Sequence, residues 1–416
     1  MEQTRSLPRG DAAAPHAEAP AGDARSADAA GQQRSRELLQ HVRERIARDG
    51  GWIGFDRYMQ MALYEPGLGY YAASPAVLGA WGGASDFITA PELSPLFAAT
   101  LAPQVARLAQ ELELQTVVEF GAGSARLACS MLRELADAGA WLPQRYAIVE
   151  VASGMRERQR EAVAALPPEL ARRVQWWDSL PERFDAVVLG NEVLDAMPVR
   201  LLHRQESGWV ERGVSAAADG SLAWQDRELA PGSALRPTLR QLAPGSVTEW
   251  HEAAEGFMRS LGTHLGRGVA LLFDYGFPAH EYDHPQRADG TLRCHRAHRV
   301  HDDPLWQPGL SDITAHVDFS AMARAARESG LQLLGYTSQA RFLLNAGLLD
   351  LLAARMSAGD AAALRLAAGV QKLLGEHEMG ELFKVLAVGR GIAGPLPAMA
   401  EGDRSAALAP DACGAD

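Results

Sequence analysis

Acidic residues follow one strongly apolar segment, at a position where a sheet would present its ligand-binding edge. The segment Asp185–Leu189 runs into Gly190, Asn191 and Glu192, and Asp195 follows one turn later. In doubly wound folds, ligands bind in the crevice outside the carboxyl ends of the strands. A carboxylate there could hold a cationic group such as a guanidinium through paired hydrogen bonds. Glu192 and Asp195 are therefore the candidate catalytic residues.

The same segment also has a purely structural interpretation. Asp195 could cap a short turn, and Glu192 could bond the backbone of a neighbouring glycine-rich loop. The sequence leaves both interpretations open. Asn191, at the tip of the strand, is assigned to the cofactor side of the crevice.

A glycine-rich turn follows another apolar segment that carries the acid Glu119. Gly121 and Gly123 would let a ligand approach the backbone closely at the start of a helix. The dinucleotide fingerprint requires a third glycine where this chain has Arg126. An acid followed by a relaxed Gly-x-Gly is typical of S-adenosylmethionine binding instead. A tight turn without a ligand is the structural alternative.

Two further strand ends carry polar groups that suit the same cofactor. Glu150 lies 29 residues after Gly121 and could accept two hydrogen bonds from a ribose diol, or could be a solvated carboxylate. Asp178 ends the next apolar segment, where an adenine amino group would lie. Trp177 before it is expected in the core. Three successive strand ends of this kind favour a cofactor site.

The segment "TAPELS" (89–94) precedes a long apolar helix that is expected to begin near Pro91. Thr89 and Glu92 could simply cap this helix. Glu92 could also hold the ammonium group of the methyl donor in front of the cleft. Both residues are kept as candidate cofactor ligands.

Two residues are candidates for the substrate side of the crevice. Tyr275 follows an apolar strand in "FDYGFP", and either lines a substrate channel or packs under the next loop. His316 in "DITAHVDFS" either faces the active site or is a satisfied buried histidine, and Asp318 should cap the following helix. The loop 276–312 is rich in histidine and arginine, but its spacing matches no zinc pattern and no metal is expected. That loop either covers the cleft or contacts a protein substrate.

Apolar strands that alternate with helical segments must position these residues. The pattern predicts an α/β fold with a mostly parallel, seven-stranded, Rossmann-like sheet and helices on both faces. The strand candidates are Thr116–Phe120, Arg145–Val151, Val174–Trp177, Asp185–Gly190, Val269–Asp274, Leu331–Thr337 and Leu382–Val388. The expected domains are a disordered tail (1–33), a helical extension on the cofactor cleft (34–115, with a helix from Ser35), a catalytic domain (116–390) and a C-terminal tail (391–416). An antiparallel β cap is expected as an insertion at about 200–260, around the hairpin signal "ADG".

Composition limits the classes of function. The 416 residues carry a net charge of −12 and a pI of about 5.5, which argues against nucleic acid as a partner. The three widely spaced cysteines are typical of a reducing compartment, so a bacterial cytoplasmic location is expected. No apolar run is long enough for a transmembrane helix. The acidic, Ala-rich first residues do not read as a signal peptide.

Seven stretches in order resemble the MidA-like class I S-adenosylmethionine-dependent methyltransferases, a family that includes a mitochondrial methyltransferase assisting complex I assembly. They are "YEPGLGYY" (64–71), "DFITAPELSPLFA" (86–98), "VVEFGAGSARL" (117–127), "YAIVEVA" (146–152), "GNEVLDAMPV" (190–199), "LLFDYGFP" (271–278) and "DITAHVDFS" (312–320). The resemblance implies a class I methyltransferase fold and S-adenosylmethionine as methyl donor. It also implies a protein arginine substrate, with a respiratory-chain subunit as one candidate.

Three functions follow from this pattern. The first is methylation of a protein arginine, for which the large insertion would dock the substrate. The second is methyl transfer to a small molecule under a closed cap. The third is a non-catalytic assembly role that binds the cofactor. A homodimer formed through the insertion is a further hypothesis.

Overall fold

The computed structural model describes residues 21–73, 88–139, 141–230, 232–233, 235–296, 299–356 and 361–409. The helices are α1 (Ala21–Arg48), α2 (Phe55–Tyr64), α3 (Tyr70–Ala73), α4 (Ala90–Leu93), α5 (Pro95–Glu111), α6 (Arg126–Ala138), α7 (Ser153–Ala164), α8 (Pro168–Ala171), α9 (Glu252–His264), α10 (Ala279–Tyr282), α11 (Phe319–Glu328), α12 (Gln339–Asn345), α13 (Leu348–Arg355), α14 (Ala361–Leu374), α15 (Met379–Leu382) and α16 (Pro397–Ala400). No helix in the described part of the chain is long and apolar enough to cross a membrane.

The strands are β1 (Ile53–Gly54), β2 (Thr116–Phe120), β3 (Arg145–Val149), β4 (Val174–Trp177), β5 (Phe184–Asn191), β6 (Arg200–Gln205), β7 (Gly208–Ala216), β8 (Leu222–Glu228), β9 (Val247–Trp250), β10 (Leu265–Phe277), β11 (Arg293–Arg296), β12 (Arg299–His301), β13 (Asp312–Thr314), β14 (Val317–Asp318), β15 (Gln332–Ser338) and β16 (Phe383–Arg390). The main sheet has the order β15-β16-β10-β5-β2-β3-β4, and the short β14 pairs with β10. From β10 to β4 neighbouring strands run parallel, whereas β16 is antiparallel to both β10 and β15.

The central strands are buried on both faces, as near-continuous apolar strands of a parallel sheet should be. In β2, Val117 packs with α5 and α6 on one face, and Val118 packs with α9 and α11 on the other. In β5, Val187 and Val188 divide between the same two cores. Burying such a side chain contributes about 1.5–3 kcal/mol, so the sheet centre fixes where the strand ends lie.

The insertion forms a second sheet of antiparallel strands with the order β1-β7-β6-β9, and β8 pairs with β7. Its apolar face joins Leu38, Val42 and Ile46 of α1 in a third core. The segment 276–312, expected as an irregular loop, contains α10 and a three-stranded sheet in the order β12-β11-β13. Its buried Cys294 and Ile313 join the same third core, which explains why this segment is ordered.

Three expectations about helices and tails differ from the structure. Helix α1 starts at Ala21 rather than near Ser35, so residues 21–33 are helical, while residues 1–20 lie outside the described residues. The helix expected from Pro91 is broken in two, because the Ser94 side chain accepts a hydrogen bond from the Leu96 amide and caps α5 separately. Residues 391–409, expected as part of a C-terminal tail, pack on the rest of the protein, since Leu396, Met399 and Leu408 are buried in the core.

Candidate active site

The glycine-rich turn connects β2 to α6 through three residues with left-handed backbone geometry. Gly121, Gly123 and Ala125 have φ values of 60°, 53° and 63°. Ala125 occupies this conformation although glycine adopts it at lower cost. A Cβ atom on Gly121 would lie 3.1 Å from a methyl group of Val193 in the loop after β5. The turn therefore packs directly against the loop that carries Glu192 and Asp195.

Glu119 points into the protein and accepts a hydrogen bond from the Tyr146 hydroxyl at 2.6 Å. The side chain is 3% exposed, and burial raises its pKa to about 7. The charge of Glu150 raises this pKa further, although the hydrogen bond from Tyr146 opposes the shift. The structure thus gives Glu119 a role that joins β2 to β3 beneath the turn.

Glu150 and the completely buried Gln159 connect the glycine-rich turn to the second strand end. The Gln159 amide donates to the Gly123 carbonyl at 3.1 Å and to Glu150 Oε2 at 2.9 Å. Its own oxygen accepts from the Trp176 indole at 2.9 Å. The other Glu150 oxygen accepts from the Ala152 amide at 2.9 Å, and burial raises the pKa of this carboxyl. Gln159 carried no recognisable motif and was missed by the sequence reasoning.

The remaining cofactor candidates lie around this turn with different partners. Asp178 is exposed at the end of β4 and forms an ion pair with Arg156. Thr89 occupies the N-cap position of α4 but makes no side-chain cap bond. Glu92 accepts a hydrogen bond from the Ser124 hydroxyl in the glycine-rich turn. Glu92 is therefore hydrogen-bonded to the glycine-rich turn and does not act as a helix cap.

Glu192 follows β5 in a left-handed conformation (φ 53°) that is uncommon for residues with a side chain. Its amide donates to the Phe273 carbonyl at 2.9 Å, and its carboxylate accepts from the Asn191 amide at 3.0 Å and from the backbone of Ala90. The residue keeps partial exposure, but burial of the carboxyl and the charge of Asp195 raise its pKa to about 8. Among the described residues, Glu192 makes no hydrogen bond to the backbone of the glycine-rich turn, which was the structural alternative for this side chain.

Asp274 at the end of β10 holds this loop in place. Its Oδ2 accepts from the amides of Val193, Leu194 and Asp195 at 3.1, 2.8 and 3.3 Å, and Oδ1 accepts from the Tyr275 amide at 3.0 Å. Burial and the charge of Asp195 raise the pKa of Asp274 well above its usual range. Sequence reasoning placed Asp274 at the sheet edge without this role.

Asp195 lies at 4% exposure in a short turn, in which the Met197 amide donates to the Leu194 carbonyl at 3.3 Å. Burial raises its pKa to about 6, although a hydrogen bond from the Tyr275 hydroxyl counteracts the shift. Its Oδ1 is buried and has no hydrogen-bond partner among the described residues, while the backbone amides of Asp195 and Ala196 near the carboxyl group also lower its pKa. A buried acceptor without a partner is costly, so this atom is suited to receive a donor from a ligand.

Tyr275 in β10 and His316, which precedes β14, lie side by side. The Tyr275 hydroxyl shares its hydrogen bonds between Asp195 and Thr314, and its ring meets that of His316 edge-on at 5.1 Å. Burial, together with the charge of Arg287, lowers the pKa of His316 to about 4, so the imidazole is neutral. Tyr275 therefore touches the candidate catalytic pair, and His316 supports it.

Two tyrosines and an aspartate that sequence reasoning did not select complete the site. The Tyr64 hydroxyl donates to the Ala196 carbonyl at 3.0 Å, and the Tyr71 hydroxyl donates to Asp312 Oδ1 at 2.7 Å. The Tyr64 and Tyr71 rings stack at 5.5 Å. The only signal for them was their place in "YEPGLGYY" and "DITAHVDFS".

The site is acidic and contains no compensating cation from the described chain. No Lys, Arg or His among the described residues forms an ion pair with Glu192, Asp195 or Asp274. Over the same residues, no group of three or more His, Cys, Asp or Glu side chains could hold a metal ion. Carboxyl groups buried beside the glycine-rich turn suit a cationic ligand, whose charge would favour their ionised form.

Known proteins resemble this chain over most of its length. A model of the Methyltransf_28 family of S-adenosyl-L-methionine-dependent methyltransferases matches residues 96–337. A protein arginine methyltransferase NDUFAF7 of Danio rerio is 27% identical, and the alignment covers 85% of this chain and 87% of that protein. The Homo sapiens protein of the same name is 26% identical over 84% of this chain and 83% of its own.

A solved structure matches more closely. A Burkholderia thailandensis protein bound to S-adenosyl-homocysteine is 50% identical, with a TM-score of 0.86, and the match covers 94% of this chain and 99% of that one. The turn at Gly121 and Gly123, where side chains are absent, and the buried Glu150 carboxylate at the next strand end fit such a cofactor. With the family model spanning more than half of the sequence, the chain belongs to this family of S-adenosylmethionine-dependent methyltransferases.

Proposed function

We propose that this enzyme transfers a methyl group from S-adenosylmethionine to an arginine side chain of a protein. The proposal depends mainly on the buried, unpaired acidity around Glu192 and Asp195. A guanidinium is a planar cation with five donors that matches carboxylates by paired hydrogen bonds. Relatives that carry the name protein arginine methyltransferase support the same acceptor, at about 27% identity.

The bound cofactor supplies an electrophilic methyl group on a positively charged sulfur. Glu192 and Asp195 would hold the guanidinium and draw its positive charge toward the nitrogens they contact. The remaining terminal nitrogen would then be positioned to attack, forming the N–C bond as the S–C bond breaks and its electron pair stays on sulfur. The bound guanidinium would hold Glu192 in its ionised form. The proton released from the methylated nitrogen would then pass to Glu192, whose pKa, raised by burial to about 8 in the free site, makes it a stronger base than an ordinary carboxylate.

The domain assignments and partners belong to this proposal as well. We assign residues 34–115 to an extension over the cofactor cleft, because Ala90 reaches Glu192 and Glu92 reaches Ser124. Residues 116–390 would be the catalytic domain, and the insertion at about 200–260 would dock the protein substrate or a second copy of the chain. A respiratory-chain subunit as substrate and a cytoplasmic location remain part of the proposal.

Methyl-labelled S-adenosylmethionine tests this function. Purified wild type and Glu192→Gln are incubated with lysate of a strain lacking the gene, and labelled protein is hydrolysed to amino acids. Labelled methylarginine produced by the wild type and reduced at least ~100-fold by the variant is expected, as for loss of a transition-state contact. Label confined to small molecules, or to another amino acid, would refute the arginine assignment.

Cofactor binding provides the control for that experiment. Both proteins should bind S-adenosylhomocysteine with similar affinity by titration calorimetry, since Glu192 contacts Asn191 and Ala90 rather than the glycine-rich turn. Bound cofactor without any methyl transfer by the wild type would favour the non-catalytic assembly role.

A further inference from the structure

Tyr64, Tyr71 and Asp312 occupy the substrate side of the site, although they come from distant parts of the chain. The two tyrosines belong to α2 and α3, and Asp312 begins β13 of the small three-stranded sheet. The hydrogen bond from Tyr71 to Asp312 spans 241 positions in sequence. Tyr64 reaches the carbonyl of Ala196, the residue next to Asp195. Three separate elements therefore converge on the loop after β5.

Asp312 and the two tyrosines interact electrostatically with Glu192 and Asp195. The charge of Asp312 raises the pKa of Glu192, and the charges of Asp312 and Asp195 raise the pKa of Tyr64 and of Tyr71, each after the larger effect of burial. The amide of Ala315, three residues after Asp312, donates to the Asp195 carbonyl at 3.0 Å. Asp312 thus belongs to the same acidic site, at 3% exposure.

A second observation points to a ligand rather than to a structural cluster. Asp195 Oδ1 is buried and has no hydrogen-bond partner among the described residues, although the Tyr275 hydroxyl donates to the same carboxyl group. The stacked Tyr64 and Tyr71 rings are both partly exposed, and the Tyr64 hydroxyl donates to the carbonyl of Ala196, the residue after Asp195. Aromatic rings beside carboxylates are a recurrent environment for a guanidinium, which stacks on rings and hydrogen-bonds at its edge.

We propose that Asp312, held by the Tyr71 hydroxyl, is a third carboxylate of the acceptor site, and that Tyr64 and Tyr71 form the aromatic wall that selects a guanidinium over an ammonium. The inference rests on the proposed function. A lysine ammonium is a compact, strongly hydrated point charge that can neither stack on the rings nor meet the carboxylates in pairs, so the site should bind it less tightly. A planar guanidinium meets the same carboxylates along separate edges and keeps one nitrogen free.

Peptide binding to the cofactor-loaded enzyme tests the inference. The probes are acetyl-Gly-Arg-Gly-amide and its lysine counterpart, titrated into protein saturated with S-adenosylhomocysteine. Wild type should bind the arginine peptide about ten-fold more tightly than the lysine peptide. Tyr71→Phe and Asp312→Asn should each weaken arginine binding about ten-fold, the effect of losing one charge-assisted contact. The affinity for S-adenosylhomocysteine should stay within about two-fold, which shows that the variants fold.

Tyr336→Phe is the matched control, because the Tyr336 hydroxyl is buried in β15 without a hydrogen-bond partner among the described residues. It should bind both peptides as the wild type does. Unchanged arginine binding in Tyr71→Phe and Asp312→Asn, or equal binding of the two peptides by the wild type, would overturn the inference. The labelling experiment separates the two proposals: methylarginine formed with wild-type KM by Asp312→Asn refutes only the role of Asp312, whereas absence of methylarginine from the wild type refutes the proposed function.

Discussion

At the scale of single residues, the raised pKa values of Glu192 and Asp195 make stability depend on pH. The folded-state pKa values are about 8 for Glu192 and about 6 for Asp195, above the usual values near 4. Between pH ~4.5 and ~8 the folded chain therefore binds more protons than the unfolded chain, and the free energy of unfolding falls as pH rises. Glu192→Gln removes the contribution of Glu192 to this fall in the free energy of unfolding.

Urea denaturation at pH 5 and pH 8 measures the effect. Glu192→Gln should resemble the wild type at pH 5 and exceed its free energy of unfolding at pH 8, on the order of 1–2 kcal/mol given the partial exposure of the side chain. Equal pH dependence of the two proteins would show that the Glu192 carboxyl is not shifted.

Alanine substitutions at Gly121 and Gly139 separate the effect of backbone strain on stability from the effect of crowding in the glycine-rich turn on cofactor binding. Both have left-handed φ values, 60° and 65°, but a Cβ on Gly121 would meet Val193 at 3.1 Å and one on Gly139 would meet nothing within 4 Å. Alanine at either position should cost about 1–2 kcal/mol of stability. Only Gly121→Ala should also weaken S-adenosylhomocysteine binding, about ten-fold by calorimetry. Similar affinities for the two variants would contradict the packing of the turn against the Val193 loop.

At the scale of elements, Gln159 on α7 joins the glycine-rich turn, the end of β3 and Trp176 on β4. Gln159→Leu would leave the buried Glu150 carboxylate with one donor fewer, which costs roughly 1–3 kcal/mol. Affinity for S-adenosylhomocysteine is expected to drop about ten-fold or more. Gln175→Leu on the exposed side of β4 is the control and should bind normally. A Gln159 variant with native affinity would show that this network does not shape the cofactor site.

The elements of the sheet were largely predictable, because buried parallel strands are short apolar runs bounded by turns. Thr116–Phe120 and Val174–Trp177 match their observed bounds, and β10 merely extends the expected Val269–Asp274 at both ends. The positions of Glu192, Asp195 and Tyr275 at one edge of the sheet could be predicted, because ligands bind outside the carboxyl ends of parallel strands. The contact of Tyr71 with Asp312 could not be predicted, because the two residues are 241 positions apart and no local sequence pattern marks such a contact. The packed C-terminal segment was missed because Leu396 and Met399 are isolated apolar residues in a Pro- and Gly-rich stretch.

At the scale of the whole molecule, a buried ion pair connects the insertion to the segment that follows β10, at the end of α10. Arg236 donates to both oxygens of the fully buried Asp283 at 2.7 and 2.6 Å, and Thr238 adds a third bond at 2.5 Å. Breaking such a pair leaves an uncompensated buried charge. Asp283→Asn should lower the free energy of unfolding by about 3–5 kcal/mol.

Chemical denaturation compares this variant with Asp302→Asn, which disrupts the exposed pair between Arg293 and Asp302 at 3.7 Å. The exposed pair should contribute no more than about 1 kcal/mol. Equal losses in the two variants would mean that the Arg236–Asp283 contact does not anchor the insertion.

The most direct test of the central claim is made in cells. A strain lacking the gene is complemented with wild type or Glu192→Gln at equal protein levels, and arginine methylation is mapped across the proteome by mass spectrometry. The acidic site around Glu192 and Asp195 predicts at least one arginine that carries a 14 Da increment per added methyl group with the wild type and none with the variant. Identical arginine methylation in both strains would contradict the assignment of Glu192 to methyl transfer onto arginine.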